Sequence, residues 1–154
     1  MPRRSDMNKD PDRVMELTQQ AIALSDEGHY DAAEALLRKA LVLLPDNEDI
    51  IRNYVNFCIE VAHNHHCVFE NFVDAIKYYK KVLEVVPTEA ETWMDLGSAH
   101  ASNQEIMDAL QAWQKALELL DVTRPRDKEN IRLILENVRM VQGGLKDIDG
   151  VTEE

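Results

Sequence analysis

The chain of 154 residues is 45% hydrophobic and 30% charged, and its net charge is −12. This composition is typical of a folded globular domain, and the length suffices for a buried core without disulfides or metals. The acidic charge argues against nucleic acid as a ligand, and the lack of an apolar run of about 20 residues argues against membrane insertion. Cys58 and Cys67 form no disulfide framework, so we expect a reducing, cytoplasmic location.

Helical periodicity dominates the chain after a polar start. Residues 1–11 carry a basic pair with no apolar stretch behind it, which predicts a flexible N-terminal segment and no secretory signal. Apolar residues then recur at spacings of three and four, the period of an amphipathic helix. Pro45 and Pro87 mark boundaries because proline cannot continue a helix. The pattern predicts helices over residues 12–26, 31–44, 47–63, 71–86, 89–102, 105–120 and 127–142.

An internal repeat organises these helices. Trp93, Leu96, Gly97 and His100 have the spacing W-x2-L-G-x2-H, followed at fixed intervals by small and aromatic residues. This spacing resembles the tetratricopeptide repeat, with His100 where tyrosine is usual and with a tryptophan, Trp113, where phenylalanine is usual. The same register recurs earlier in the chain, at Gly28, Tyr30, Ala33, Leu37, Ala40 and Pro45.

The resemblance implies an all-α fold: a right-handed α-α superhelix of three antiparallel helix pairs with a C-terminal solvating helix. The repeats cover about 14–47, 48–89 and 90–121 within a single domain over 12–142. The second repeat is eight residues longer than the first, and we expect the insertion, near 63–71, to form a polar loop. The capping helix, about 127–142, is expected to end at Gly143 and Gly144, leaving 143–154 as an acidic mobile tail.

The resemblance also implies where a partner binds. Relatives bind an extended peptide or a partner helix on a concave face lined by the first helix of each pair, without catalysis or cofactor. Acidic residues on that face suggest a partner with Lys or Arg or a free amino terminus, although solvated charges on an ordinary face explain them equally well. The residues expected there are Thr18, Ile22, Asp49, Arg52, Asn53, Asn56, Glu60, Glu91, Met94, Asp95 and Ser98.

One subfamily clamps the C-terminal carboxylates of heat-shock chaperones with Lys, Arg and Asn side chains. Thr18 and Ile22 occupy the first-repeat positions of that clamp, and Glu91 and Asp95 occupy the third-repeat positions. Only Asn53 matches. Since two carboxylates stand where two cations are required, we do not expect this chain to bind those termini.

Two alternatives remain. The insertion contains His63, His65, His66 and Cys67, which are good zinc or copper ligands, but such close spacing rarely closes a tetrahedral site. A self-assembling scaffold is the other alternative, which a capping helix would block at one end. No catalytic motif is present, and Cys58 lies in an apolar run where buried thiols are usually inert.

Overall fold

The computed structural model describes the backbone of residues 11–151 and the side chains of residues 11–144. Within that range it is all-α, without strands. The prediction of an all-α fold built from successive helix pairs is confirmed. None of the described helices is both long enough and apolar enough to cross a membrane. The helices are α1 (Pro11–Asp26), α2 (Tyr30–Leu43), α3 (Glu48–Cys67), α4 (Phe72–Val85), α5 (Ala90–Ser102), α6 (Ile106–Leu119) and α7 (Pro125–Val151).

The turns inside the three helix pairs share one backbone geometry. Gly28, Glu70 and Gln104 have φ angles of 83°, 51° and 63°, and each lies two residues before the second helix of its pair. Only glycine adopts this left-handed conformation without strain. A left-handed residue at the same position of each pair is structural evidence for the repeat. Only in the first pair is this residue a glycine, so the sequence does not reveal the other two.

The described chain divides into two compact units between Val61 and Ala62, inside α3. In the first unit, α1 and α2 form a hairpin whose core contains Val14, Leu17 and Ala40. A polar triad fastens α2 to α3: the Tyr54 hydroxyl and Arg38 Nε both donate to Glu34 Oε1 at 2.8 Å. Burial raises the pKa of the Tyr54 hydroxyl, which favours its neutral, donating form.

The second unit contains α4 to α7 and the last turns of α3. Its core cluster consists of Ala109, Trp113, Ala116 and Ile134, so α7 packs against α6 as a cap. Val138 and Val141 extend the same apolar side of α7. The predicted capping role of this helix is therefore seen in the packing of its apolar residues.

The insertion is not the polar loop that the sequence suggested. Helix α3 has 20 residues against 13 in α5, and the added seven residues make about two further turns. Only residues 68–71 connect α3 to α4. The added turns are stable because they bury Val61 and Ala62 and place imidazole rings against the aromatic rings of α4.

The prediction that Gly143 and Gly144 end the last helix is also wrong. Helix α7 continues to Val151, and neither glycine has the left-handed φ angle of a helix terminus. A helical glycine costs only about 1 kcal/mol relative to alanine, which an otherwise favourable helix tolerates. Residues 1–10 and 152–154, parts of the predicted N-terminal segment and acidic tail, lie outside the described residues.

Candidate functional site

An open cleft of about 340 Å³ lies between α1 and α3 in the first unit; we call it the α1/α3 groove. It brings together five residues that the sequence predicted for a binding face. Helical spacing explains this, because residues three or four apart share one side of a helix. The cleft is lined by Thr18, Ala21, Ile22, Ser25, Asp26, Leu37, Asn53, Asn56, Phe57 and Glu60.

The groove combines exposed polar groups with apolar surface. Asn53, Asn56 and Glu60 are exposed, and Ile22 is 56% exposed. The Thr18 hydroxyl donates to the Val14 carbonyl of its own helix, so it is already satisfied. The asparagine amides offer both donors and acceptors, which suits the backbone of a bound polypeptide.

Asp49 and Arg52 are not part of the groove lining. They lie near the start of α3, where Arg52 Nη2 is 3.1 Å from Asp49 Oδ1 and both side chains are mostly exposed. An exposed pair of this kind contributes little to stability. Of the residues expected on α3, the structure therefore gathers Asn53, Asn56 and Glu60 at the groove and leaves these two outside it.

The predicted residues of α5 are largely engaged with α7. Glu91 pairs with Arg126 of α7 at 2.6 Å, and Met94 packs against the cluster that contains Ile134. Ser98 lines a smaller cleft, about 210 Å³, together with Asn137 and Met140 of α7. The capping helix thus covers part of the α5 surface that the sequence assigned to a partner.

The imidazoles of the extended α3 act as packing groups. His63 Nε2 lies 3.0 Å from Asp95 Oδ2, the fourth predicted residue of α5, and His65 stacks on Tyr78 with ring centroids 6.0 Å apart. His66 contacts Ser102 Oγ at 3.1 Å, and burial lowers its pKa.

Helical geometry separates the donor atoms that the sequence placed close together. His63, His65, His66 and Cys67 project in different directions because successive helical residues are rotated by about 100°. In the part of the chain that the structure describes, no three of their ligand atoms lie within 4.8 Å of one another. Proximity in sequence therefore does not bring three of these donor atoms together.

The packing between α5 and α6 bears on the resemblance to the tetratricopeptide repeat. Trp113 lies directly on Gly97: a β-carbon added to Gly97 would be 2.3 Å from Trp113 Cδ1. The indole Nε1 donates to the Met94 carbonyl at 3.2 Å. Both residues occupy the signature positions that the resemblance assigned to them. This packing of a large side chain on a small one agrees with the resemblance.

No protein-family model matches the chain, and a search of curated proteins gives no match. Among solved structures, the chain is similar to the first tetratricopeptide domain of Spaghetti (RPAP3) bound to an HSP90 peptide, at 16% identity and TM-score 0.43, covering 84% of this chain and 95% of that one. It is also similar to the Arabidopsis OM64 tetratricopeptide domain, at 15% identity and TM-score 0.44, covering 84% and 98%. MamA from Desulfovibrio magneticus has 20% identity and TM-score 0.45, covering 94% and 75%.

A polar cluster in the turn of the third helix pair was not predicted from the sequence. His100 at the end of α5, Glu105 before α6 and Asp108 in its first turn have ligand atoms within 4.8 Å of one another. The sequence suggested only that His100 replaces a packing tyrosine. The missed signal was the spacing H-x4-E-x2-D across a helix turn, which brings these residues together only when the hairpin closes.

Proposed function

We propose that this tetratricopeptide-type protein is a non-catalytic interaction module, an adaptor or chaperone-like protein, that binds a polypeptide segment in the α1/α3 groove. The observation that carries the proposal is the open cleft with the asparagines of α3 on one side and Ile22 on the other. Peptide recognition combines polar groups that pair with the peptide backbone and apolar surface that excludes water, and the groove offers both.

The charge of the groove favours a segment with Lys or Arg. Asp26 and Glu60 line the cleft, while its described lining residues include no Lys or Arg. The net charge of −12 would add long-range attraction for a basic partner. Charges at the rim act mainly on the association rate, so we expect binding to weaken as salt is raised.

Affinity capture from native lysate, followed by titration of the captured partner, tests this proposal. Asn53→Ala combined with Asn56→Ala removes backbone-pairing amides, and Glu60→Lys reverses a groove charge. We expect each change to weaken binding about tenfold or more, corresponding to roughly 1.4 kcal/mol. Glu70→Lys, an equal charge change at an exposed loop residue outside the groove, serves as the matched control and should bind like the wild type.

Retention of every partner by the groove variants would remove the α1/α3 groove as the binding site. Loss of partners in Glu70→Lys to the same degree would show a nonspecific charge effect instead.

The self-assembling alternative has less support. Helix α7 covers the apolar side of the third pair, with Ile134 fully buried in its core. Stacking of a second molecule at that end would have to displace this helix. Neither Cys58 nor Cys67 forms a disulfide, which suits the cytoplasmic location that forms part of the proposal.

A further inference from the structure

The turn between α5 and α6 contains a buried imidazole nitrogen without an ordinary partner. His100 is 6% exposed, and among the described residues its Nδ1 has no hydrogen-bond partner. The nearest anionic group is Glu105 Oε1, at 3.5 Å. A buried polar nitrogen left in this state is costly, so its presence calls for a ligand that satisfies it.

The separation of 3.5 Å between His100 Nδ1 and Glu105 Oε1 indicates what kind of ligand would fit. It is long for a direct hydrogen bond between a ring nitrogen and a carboxylate. It is close to the distance of about 3.4 Å between two ligand atoms on a tetrahedral ion with bonds of about 2.1 Å. Asp108 supplies a third donor within 4.8 Å of both, on an exposed side chain.

Solvent can reach the cluster. His100 and Asp108 both line a cavity of about 460 Å³ bounded by α4, α5 and α6. An ion held by three protein groups on the wall of such a cavity keeps a position for water. Lys80 lines the same cavity, and its positive charge lowers the affinity expected for a cation.

We propose that His100, Glu105 and Asp108 bind a divalent transition-metal ion, with Zn²⁺ as the best match. One imidazole with two carboxylates suits ions of this class better than Mg²⁺, which prefers oxygen ligands alone. The Nδ1 atom coordinates in the tautomer that carries its proton on Nε2. This inference does not depend on the proposed function, because none of the three residues lines the α1/α3 groove.

Calorimetric titration of tag-free full-length protein with ZnCl2 tests the site. We expect one ion per chain and no comparable heat with MgCl2. Asp108→Asn changes an exposed side chain and should weaken binding about tenfold or more without unfolding the chain. His100→Tyr restores the tyrosine usual at this repeat position and should abolish binding.

His63→Gln, an exposed histidine in the extended α3, is the control and should leave the titration unchanged. Absence of saturable Zn²⁺ binding in the wild type would overturn the proposal. So would a folded Asp108→Asn variant that binds as tightly as the wild type, or binding that His63→Gln lowers and Asp108→Asn does not. Circular dichroism verifies that each variant is folded.

Discussion

At the scale of single residues, the close approach of helices depends on side chains that are small where two helices touch. Ala33, Ala40, Ala75, Ala109 and Ala116 are each fully buried. Gly97 is the extreme case, because the Trp113 indole fills the space that a β-carbon would need. Large and small residues therefore complement each other across a helix contact, which fixes the packing density of the core.

Gly97→Ala tests this complementarity. The added methyl group would overlap the Trp113 ring, so we expect a loss of about 1–3 kcal/mol in the free energy of unfolding. Gly144→Ala is the control: nothing lies within 4 Å of the added carbon, and better helix propensity should stabilise α7 by about 0.5–1 kcal/mol. Urea unfolding followed by circular dichroism measures both. Equal effects of the two substitutions would contradict the assigned contact.

At the scale of elements, helix α3 shows how an insertion is absorbed. The extra residues extend a helix instead of forming a loop, and the connection to α4 keeps its left-handed residue, Glu70. Asn71 then caps α4, since its side chain accepts a hydrogen bond from the Asp74 backbone. The left-handed turn residue thus recurs within the chain while helix length varies.

Helix α7 is the element whose packing closes the second unit. Ile134→Ala should open a cavity beside Trp113 and cost about 2–5 kcal/mol. Leu135→Ala changes the neighbouring side chain, which is 41% exposed, and should cost clearly less. Tryptophan fluorescence during urea unfolding reports on this unit, because Trp93 and Trp113 both belong to it. If the two substitutions cost the same, α7 does not cap the core as described.

At the scale of the whole molecule, stability is spread over two units that each contain a buried tyrosine. Tyr54 donates to Glu34 in the first unit, whereas the hydroxyl of Tyr79 in the second has no partner among the described residues. Burial is the main cause that raises the pKa of both hydroxyls. Each unit therefore contains a tyrosine that stays neutral at a pH at which a solvent-exposed tyrosine would lose its proton.

This burial predicts a loss of stability in alkali. The unfolded chain releases phenolic protons near pH 10 while the folded chain retains them, so stability is present below that pH and falls as pH rises above it. Each tyrosine should contribute a slope that is about 0.7 kcal/mol per pH unit at pH 10 and approaches about 1.4 kcal/mol per pH unit at higher pH. Urea unfolding from pH 9 to 11 measures it. Tyr79→Phe should be less sensitive to pH than the wild type, and an identical pH dependence would contradict the prediction.

Much of the fold was predictable from the sequence because helical periodicity and repeat spacing are local properties. The seven helices of the described residues, the placing of Gly97 and Trp113 at signature positions, and the capping helix follow from residue types at fixed intervals. The two errors arose where local signals mislead. The polar histidines of α3 predicted a loop, but their rings pack against aromatic side chains of α4 and the segment is helical. Gly143 and Gly144 predicted a helix end, but glycine also adopts helical φ angles, and α7 continues through them.

For the candidate sites, the sequence by itself determined which side chains share a helix face: Thr18 and Ile22 on α1, and Asn53, Asn56 and Glu60 on α3. That these two faces form one surface was implied only by the resemblance. Only the tertiary structure decided that α7 lies on the α5 face and that His100, Glu105 and Asp108 converge. The reason is physical. A periodic pattern specifies the direction of a side chain around its own helix, whereas the neighbour it meets depends on how hairpins close and pack.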